Sequence, residues 1–288
     1  MNAREDTFLM MNFSLNCHGK LLDLSTPAIM GVVNLTPDSF FNGGAITTEK
    51  GLLEHVEFLL KNGSKIIDIG GQSSRPGAEL ISSEEEWSRI HNAITIILKE
   101  FPEAILSIDT FYSAVAQKAA DLGASIINDI SGGAMDDQMF KMMAKLKLPY
   151  VLMHIQGTPK TMQIDPQYKN VVREVWDFFD EKVAQLKALG VTQIILDPGF
   201  GFGKTVEQNY SLLKNLTAFH NFRLPVLAGL SRKSMINKVL KINTENALNG
   251  TTVLNTIAVM NGASILRVHD VIEAREVITL VEQYLKVE

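Results

Sequence analysis

Two residues near the end of the chain, Arg267 and His269, stand two apart in an apolar run. In a strand that spacing places both side chains on one face, and a guanidinium beside an imidazole suits a phosphate or diphosphate. A second anion-binding candidate is the loop Gly70-Gly71-Gln72-Ser73-Ser74-Arg75-Pro76-Gly77. Its hydroxyls, backbone N–H groups and guanidinium can cradle the same kind of group. Further polar residues close other apolar runs: Asn34, Asp109, Asn128 with Asp129, His154 and Asp197. Asp197 opens the segment DPGFGFGKT, whose glycines allow a tight turn that would leave Asp197 exposed and Phe202 as an aromatic wall. Gly203-Lys204-Thr205 imitates the end of a P-loop, but the first glycine of that motif falls on Pro198, so the motif fails. Ser231-Arg232-Lys233 leads into a helical pattern with Ser234 at its start, where backbone N–H groups can receive a carboxylate. Metal signals are sparse: there is no HExxH and no Cys/His zinc spacing. Asn34 can help hold Mg2+ where a diphosphate supplies the other oxygens. No Ser-His-Asp or Cys-His set stands out. His18, His55, His91 and His220 read as structural or solvated, and the acidic run 84–86 as a helix start.

These residues need a scaffold that brings eight strand ends together. Apolar runs predict strands at 28–34, 65–70, 105–109, 126–130, 150–154, 194–197, 226–230 and 265–269. Helical patterns lie between them near 48–62, 83–100, 113–122, 137–147, 167–189, 206–219, 233–260 (broken around Asn243) and 271–285. The strand runs are continuously apolar rather than alternating, as in a parallel sheet covered on both faces. Ser83 with Glu86 reads as a capping box. Gly63, Gly123, Gly190 and Gly262 each follow a helical run, in the position where a left-handed residue ends a helix. Eight strands alternating with eight helical regions predict an α/β fold, a (β/α)8 TIM barrel, with the doubly wound open sheet as runner-up. The barrel's C-terminal strand ends would carry the polar residues above, and that is where such barrels place their chemistry. A β-hairpin over about 7–24, with Gly19-Lys20 between its apolar pieces, precedes the barrel. No linker or low-complexity tract divides residues 1–288, so a single domain is expected.

Composition narrows the function. With 288 residues, 46% hydrophobic, one large core is within reach. A net charge of −5 argues against nucleic acid as a partner, while a small anionic substrate needs only a few local cations. No run approaches the ~20 apolar residues of a membrane span, and no signal peptide is recognisable. The one cysteine, Cys17, gives no disulfide framework, so a reducing, cytoplasmic setting is expected.

Taken in order, the segments MGVVNLTPDSF (30–40), SSRPG (73–77), SIDT (107–110), INDISG (127–132), LMHIQGTP (152–159), LDPGFGFGK (196–204), GLSRKS (229–234) and ILRVHD (265–270) resemble the dihydropteroate synthases across nearly the whole chain after the hairpin. The resemblance implies a (β/α)8 barrel, a homodimer, and the condensation of 6-hydroxymethyl-7,8-dihydropterin diphosphate with 4-aminobenzoate to dihydropteroate and diphosphate. It assigns the pterin to Asp109, Asn128, Asp197 and Lys233, and diphosphate with Mg2+ to Asn34, Arg267 and His269, helped by Ser74 and Arg75. The aminobenzoate pocket falls to Phe40, Ser74, Pro76, Phe202, Lys233 and Ser234. The same resemblance makes Asn34, Arg75, Lys233, Arg267 and His269 the residues that act on the reacting groups. Two departures stand out: Asn42 where the family often has aspartate, and Gln72 with Ser74 where it often has glutamate and threonine. A pterin-binding methyltransferase barrel would share the acceptors but has no need of the diphosphate-binding Arg75, Arg267 and His269. A non-catalytic pterin-binding protein would not need the loops 34–44 and 70–78.

Overall fold

The computed structural model describes residues 12–36, 48–73 and 77–287. It opens with an antiparallel hairpin, β1 (Ser14–Cys17) and β2 (Lys20–Asp23), turned at His18 and Gly19. Both turn residues have positive φ, 57° and 86°, the conformation whose twist matches a two-residue hairpin. The predicted hairpin is therefore present, with its turn one residue before Gly19-Lys20.

Eight parallel strands follow: β3 (Ala28–Asn34), β4 (Ser64–Gly70), β5 (Ile105–Asp109), β6 (Ile126–Asp129), β7 (Tyr150–Met153), β8 (Ile194–Asp197), β9 (Leu227–Ala228) and β10 (Ile265–Val268). Their order is β8-β7-β6-β5-β4-β3-β10-β9. The sheet closes on itself where Leu196 bridges Val226 in parallel and Leu196 N donates to Pro225 O at 2.9 Å. This is the expected (β/α)8 barrel. The strand at 226–230 is shorter than the sequence predicts, because only Leu227 and Ala228 keep a ladder on β10.

Helices α1 (Glu49–Lys61), α2 (Ser83–Glu100), α3 (Ser113–Asp121), α4 (Met139–Leu146), α5 (Val171–Ala188), α6 (Val206–Lys214), α7 (Ser234–Leu240), α8 (Leu248–Met260) and α9 (Val271–Leu285) surround it. The break expected near Asn243 separates α7 from α8. The four predicted helix-ending glycines all have positive φ. The cap of α2 lies one residue earlier than predicted: Ser82, not Ser83, accepts from Glu85 N. That shift turns Glu86 inward rather than back toward the cap. None of the helices described is long and apolar enough to cross a membrane.

Strand side chains alternate between two cores. Outward-facing Ile67, Ile69, Leu106, Ile108, Tyr150 and Leu152 pack against the helices. Inward-facing Met30, Ile66, Ile105, Ile126, Val151, Ile195, Leu227 and Ile265 fill the lower barrel, and Leu15, Cys17, Leu22 and Leu24 of the hairpin segment join them. The hairpin is bolted to loops that feed the strands: Lys20 Nζ donates to Ala104 O at 2.9 Å, and Asn16 N to Gln193 Oε1 at 2.6 Å. It therefore plugs the N-terminal end and leaves the C-terminal end for function.

Candidate active site

Above the apolar layer the same inward parity produces a different set of side chains: two residues on, Asp68 on β4, Asn128 on β6, Asp197 on β8 and Arg267 on β10, and four residues on, Asp109 on β5. Arg267 reaches across the lumen. Its Nε donates to Asp68 Oδ2 and its Nη2 to Asp109 Oδ2, each at 2.7 Å. Asn128 Nδ2 lies 3.2 Å from Asp68 Oδ2 and 3.4 Å from Oδ1. The sequence reading missed Asp68, because a lone aspartate inside KIIDIG resembles a strand interruption. Counting by two from Gly70 would have revealed its inward face.

The glycine-rich turn after β8 builds the next wall. Gly199 N donates to Asp197 Oδ1 at 2.7 Å. A Cβ on Gly199, whose φ is 70°, would sit 1.9 Å from His154 O, so only glycine lets the chain turn there. This turn tucks Asp197 in: it is 6% exposed, not open at the mouth as the sequence predicts. Lys204 folds back beneath the turn and donates to Gly199 O and Phe202 O, both at 2.9 Å. That role explains why Gly203-Lys204-Thr205 is not a phosphate loop. Lys233 donates to Phe200 O and holds its ammonium 4.6 Å from the centre of the Phe202 ring. Ser234 begins α7 and is exposed. His269 Nδ1 is 3.0 Å from Ser231 Oγ. Asn34, half-buried at the end of β3, has no side-chain hydrogen bond to the described residues.

Burial sets the charges. It pushes Asp109 up to about 7 against the pull of Arg267, and it raises Asp197 against Lys233. Burial lowers Lys233 to about 8, with Asp197 opposing. His269 falls to about 4 through burial and the nearby Arg267, so near neutrality it is an uncharged imidazole. Burial also acts to lower Arg267, but Asp68 and Asp109 more than reverse that and keep it protonated. The lumen thus offers fixed acceptors on one side and cations on the other, all with little water around them.

Some predicted strand-end residues do not join it. Asp129 points outward and accepts from Tyr150 Oη at 2.6 Å, Ser131 N at 2.7 Å and Gly133 N at 2.8 Å, so it fixes the loop after β6. His154 also points outward, edge-on to Phe178 at 5.0 Å between centroids. Burial and Lys204 hold it down at about 2. The lumen-facing residue of β7 is instead Met153. Arg232 is paired with Asp270 at 2.7 Å. Gln72 braces its own loop, donating to Glu79 O at 3.1 Å and accepting from Ile81 N at 3.0 Å. Glu86, read as part of a helix start, is fully buried and takes the Thr110 hydroxyl at 2.6 Å.

The comparisons with known proteins agree with this geometry. A family model described as pterin binding enzyme matches residues 30–269. The chain is 43% identical over 273 residues to the dihydropteroate synthase of Escherichia coli strain K12, covering 94% of this chain and 96% of the relative. The chain belongs to the dihydropteroate synthase family. Its fold matches the Yersinia pestis dihydropteroate synthase solved with a sulfonamide drug, at TM-score 0.91 and 40% identity, covering 96% of this chain and all (100%) of that one. The Xanthomonas albilineans dihydropteroate synthase solved with 4-aminobenzoic acid matches at TM-score 0.89 and 36% identity, covering 96% of this chain and 100% of that one. The family makes the chain a transferase of folate biosynthesis. Phe40, Ser74, Arg75 and Pro76, with the departure Asn42, lie outside the described residues.

Proposed function

We propose that the barrel mouth joins the exocyclic carbon of a dihydropterin diphosphate to the amine of 4-aminobenzoate. One observation carries the reading. Asp109, Asn128 and Asp197 converge as acceptors in the same lumen as Arg267 and Lys233, and no activated nucleophile stands among them. A pterin's amine and ring N–H groups match such acceptors, above all a carboxylate that can take two of them. With no activated nucleophile among the described lumen residues, the substrate itself ionises in this reading. The C–O bond breaks, its electron pair leaves with the diphosphate, and the pterin-methyl cation is delocalised into the ring. The arylamine lone pair then forms the C–N bond, and the nitrogen releases a proton. Arg267 and His269, with Arg75 and Ser74, stabilise the departing charge. Phe202, Lys233 and Ser234, with Phe40, Ser74 and Pro76, hold the aminobenzoate.

Mg2+ fits this donor set. Among the described residues no group of three or more His, Cys, Asp or Glu could hold a metal. A single amide oxygen at Asn34 suits an ion that takes most of its ligands from diphosphate and water. When bound, Mg2+ would neutralise charge on the leaving group. Incubation with the pterin diphosphate and 4-aminobenzoate, with and without Mg2+, tests the reading. Both dihydropteroate and diphosphate should form, and faster with the metal. Absence of either product would overturn it.

A homodimer is part of the proposal. Val253, Ile257 and Met260 lie on one exposed face of α8, beside exposed Leu280 and Tyr284 on the adjoining α9. Apolar patches of this kind mark protein interfaces. Sedimentation should give a dimer, and Ile257→Glu should shift it toward monomer. A monomeric wild type would sink this part alone. A cytoplasmic setting suits Cys17, which is buried as a thiol with its pKa pushed up to about 12 by that burial.

A further inference from the structure

Asp68 carries no part of the reaction proposed above, yet it touches both halves of the site. It is fully buried within β4, two residues below Gly70. A buried carboxylate is costly to fold around, and the layer beneath it shows that apolar side chains fill this lumen well. Its position is best explained by what it holds.

A carboxylate is an acceptor only, while the Asn128 amide has an acceptor end and a donor end. With Asn128 Nδ2 3.2 Å from Asp68 Oδ2, the reverse orientation would set oxygen against oxygen. Asp68 thereby removes the choice. Asn128 spends its NH2 group on the wall and turns Oδ1, which has no partner among the described residues, to the lumen. The same Asp68 oxygen takes Arg267 Nε, and Asp109 Oδ2 takes Nη2, both at 2.7 Å. Two contacts on one planar fork fix its plane as well as its position. They leave the other Asp109 oxygen without a hydrogen bond to the described residues.

We infer that Asp68 is a positioning residue that locks the Asn128 amide as an acceptor and fixes Arg267, so that the lumen recognises a heterocycle only by a donor-rich edge. The inference rests on the pterin reading and names a residue that sets its specificity without touching the substrate. It also ties binding to leaving-group departure, because one carboxylate holds a residue from each.

A swap of the two side chains tests it. Asp68→Asn should weaken binding of 6-hydroxymethylpterin by about 10-fold, the loss of one charged hydrogen-bond partner, and should also lower kcat because Arg267 Nε is left with a neutral acceptor in place of a carboxylate. Asn128→Asp alone should lose at least as much, since it sets two carboxylates together. The double variant Asp68→Asn/Asn128→Asp should recover most of that loss. The new amide accepts from Arg267 with its oxygen in the Oδ2 place, donates to the new carboxylate from the Oδ1 place, where the wild-type separation is 3.4 Å, and still leaves an acceptor facing the lumen. Calorimetry with 6-hydroxymethylpterin, steady-state kcat and KM, and melting temperatures would be measured on all four proteins. A merely structural role moves only the melting temperatures. Losses that add in the double variant, or an Asp68→Asn enzyme with wild-type affinity and kcat, overturn the inference while leaving the functional reading intact. A wild-type protein that neither binds the pterin nor makes product sinks the functional reading itself, and this inference with it. If Asp68→Asn does not fold, Asp68→Ser takes its place. Serine is too short for the Oδ2 position that takes both contacts, so it releases Asn128 and Arg267 together; pterin affinity and kcat should both fall, and a wild-type value of either would overturn the inference.

Discussion

The lower and upper layers of the barrel lumen are both shielded from solvent and behave as different materials. Below, Met30, Ile66, Ile126, Val151 and Ile265 meet the plug residues Leu15, Cys17 and Leu22 in an apolar core. Two residues beyond Ile66, Ile126 and Ile195 stand buried Asp68, Asn128 and Asp197, and two beyond Ile265 stands Arg267, 22% exposed. In the lower layer, removing water from side chains is itself the stabilising event. In the upper layer, removing water disfavours every charge present, and the protein answers with cross-lumen ion pairs, raised carboxylates and lowered lysines. Stability is concentrated at one end of the barrel, and at the other a set of groups waits for a ligand to complete their partners.

The largest expected effects would separate the two layers outright. Leu22→Ala removes a fully buried plug side chain and should cost roughly 2–5 kcal/mol of folding stability. Well below the melting transition, kcat/KM should stay near wild type. Asp197→Ala should do the reverse, costing about 2–4 kcal/mol of pterin binding while the melting temperature moves by only a few degrees. Calorimetry and thermal melts on both proteins would decide. A Leu22→Ala enzyme that folds but has lost turnover, or an Asp197→Ala protein with normal pterin affinity, would show that the layers are not separable in this way.

A somewhat smaller effect concerns a third kind of burial, outside the lumen but at the same end. Glu86 lies behind β5 with one oxygen on the Thr110 hydroxyl and the other, Oε1, without a hydrogen-bond partner among the described residues. Burial, opposed by that hydrogen bond, pushes its pKa from 4.5 up to about 8. The folded protein therefore keeps a proton that the unfolded chain gives up above about pH 4.5. This contribution to stability is complete below that pH and is lost as pH rises toward 8. Glu86→Gln keeps the neutral shape and does not titrate, so its stability relative to wild type should grow by about 3.5 kcal/mol between pH 5 and pH 8. Denaturant unfolding at both pH values measures it. A constant difference would mean that Glu86 is ionised in the folded state.

The lumen was largely legible from period two alone. Arg267 and His269, Asp109, Asn128 and Asp197 each ended an apolar run, and the barrel followed from the repetition of such runs. Sequence reasoning failed where a side chain's face had to be known rather than its position. Asn128 and Asp129 are neighbours on one strand and point to opposite sides, so a strand-end aspartate became a loop brace. His154 fell outward by the same rule. Asp68 was hidden because it lies a layer below the strand end, where polar residues are not sought. Lys204 and Gln72 take their roles from loops whose paths no local pattern records. Ser82 took the α2 cap from Ser83, since two serines in sequence offer the same chemistry and only the entering chain direction chooses between them.

The smallest effect is expected where the lumen meets the open mouth. Phe202 is half-buried, and its ring faces the Lys233 ammonium at 4.6 Å. Burial has already lowered that lysine to about 8, with Asp197 restoring part of its charge. A ring face favours the protonated form by about 0.5–1 kcal/mol. Phe202→Leu keeps an apolar side chain there and removes the π face, so the Lys233 pKa should drop further, by about 0.4–0.7 of a pH unit at 1.36 kcal/mol per unit. Lysine loses its charge as pH rises through its pKa, so the alkaline limb of kcat/KM should move to lower pH by that amount. The KM for 4-aminobenzoate should rise about 2–5-fold from the same energy. Lys233→Arg supplies the control, because a guanidinium does not titrate in this range and the limb should vanish. If Phe202→Leu raises KM but leaves the limb in place, the ring is a wall for the substrate and not a partner of the lysine. If the limb moves with no change in KM, the ring tunes the charge without lining the aminobenzoate pocket.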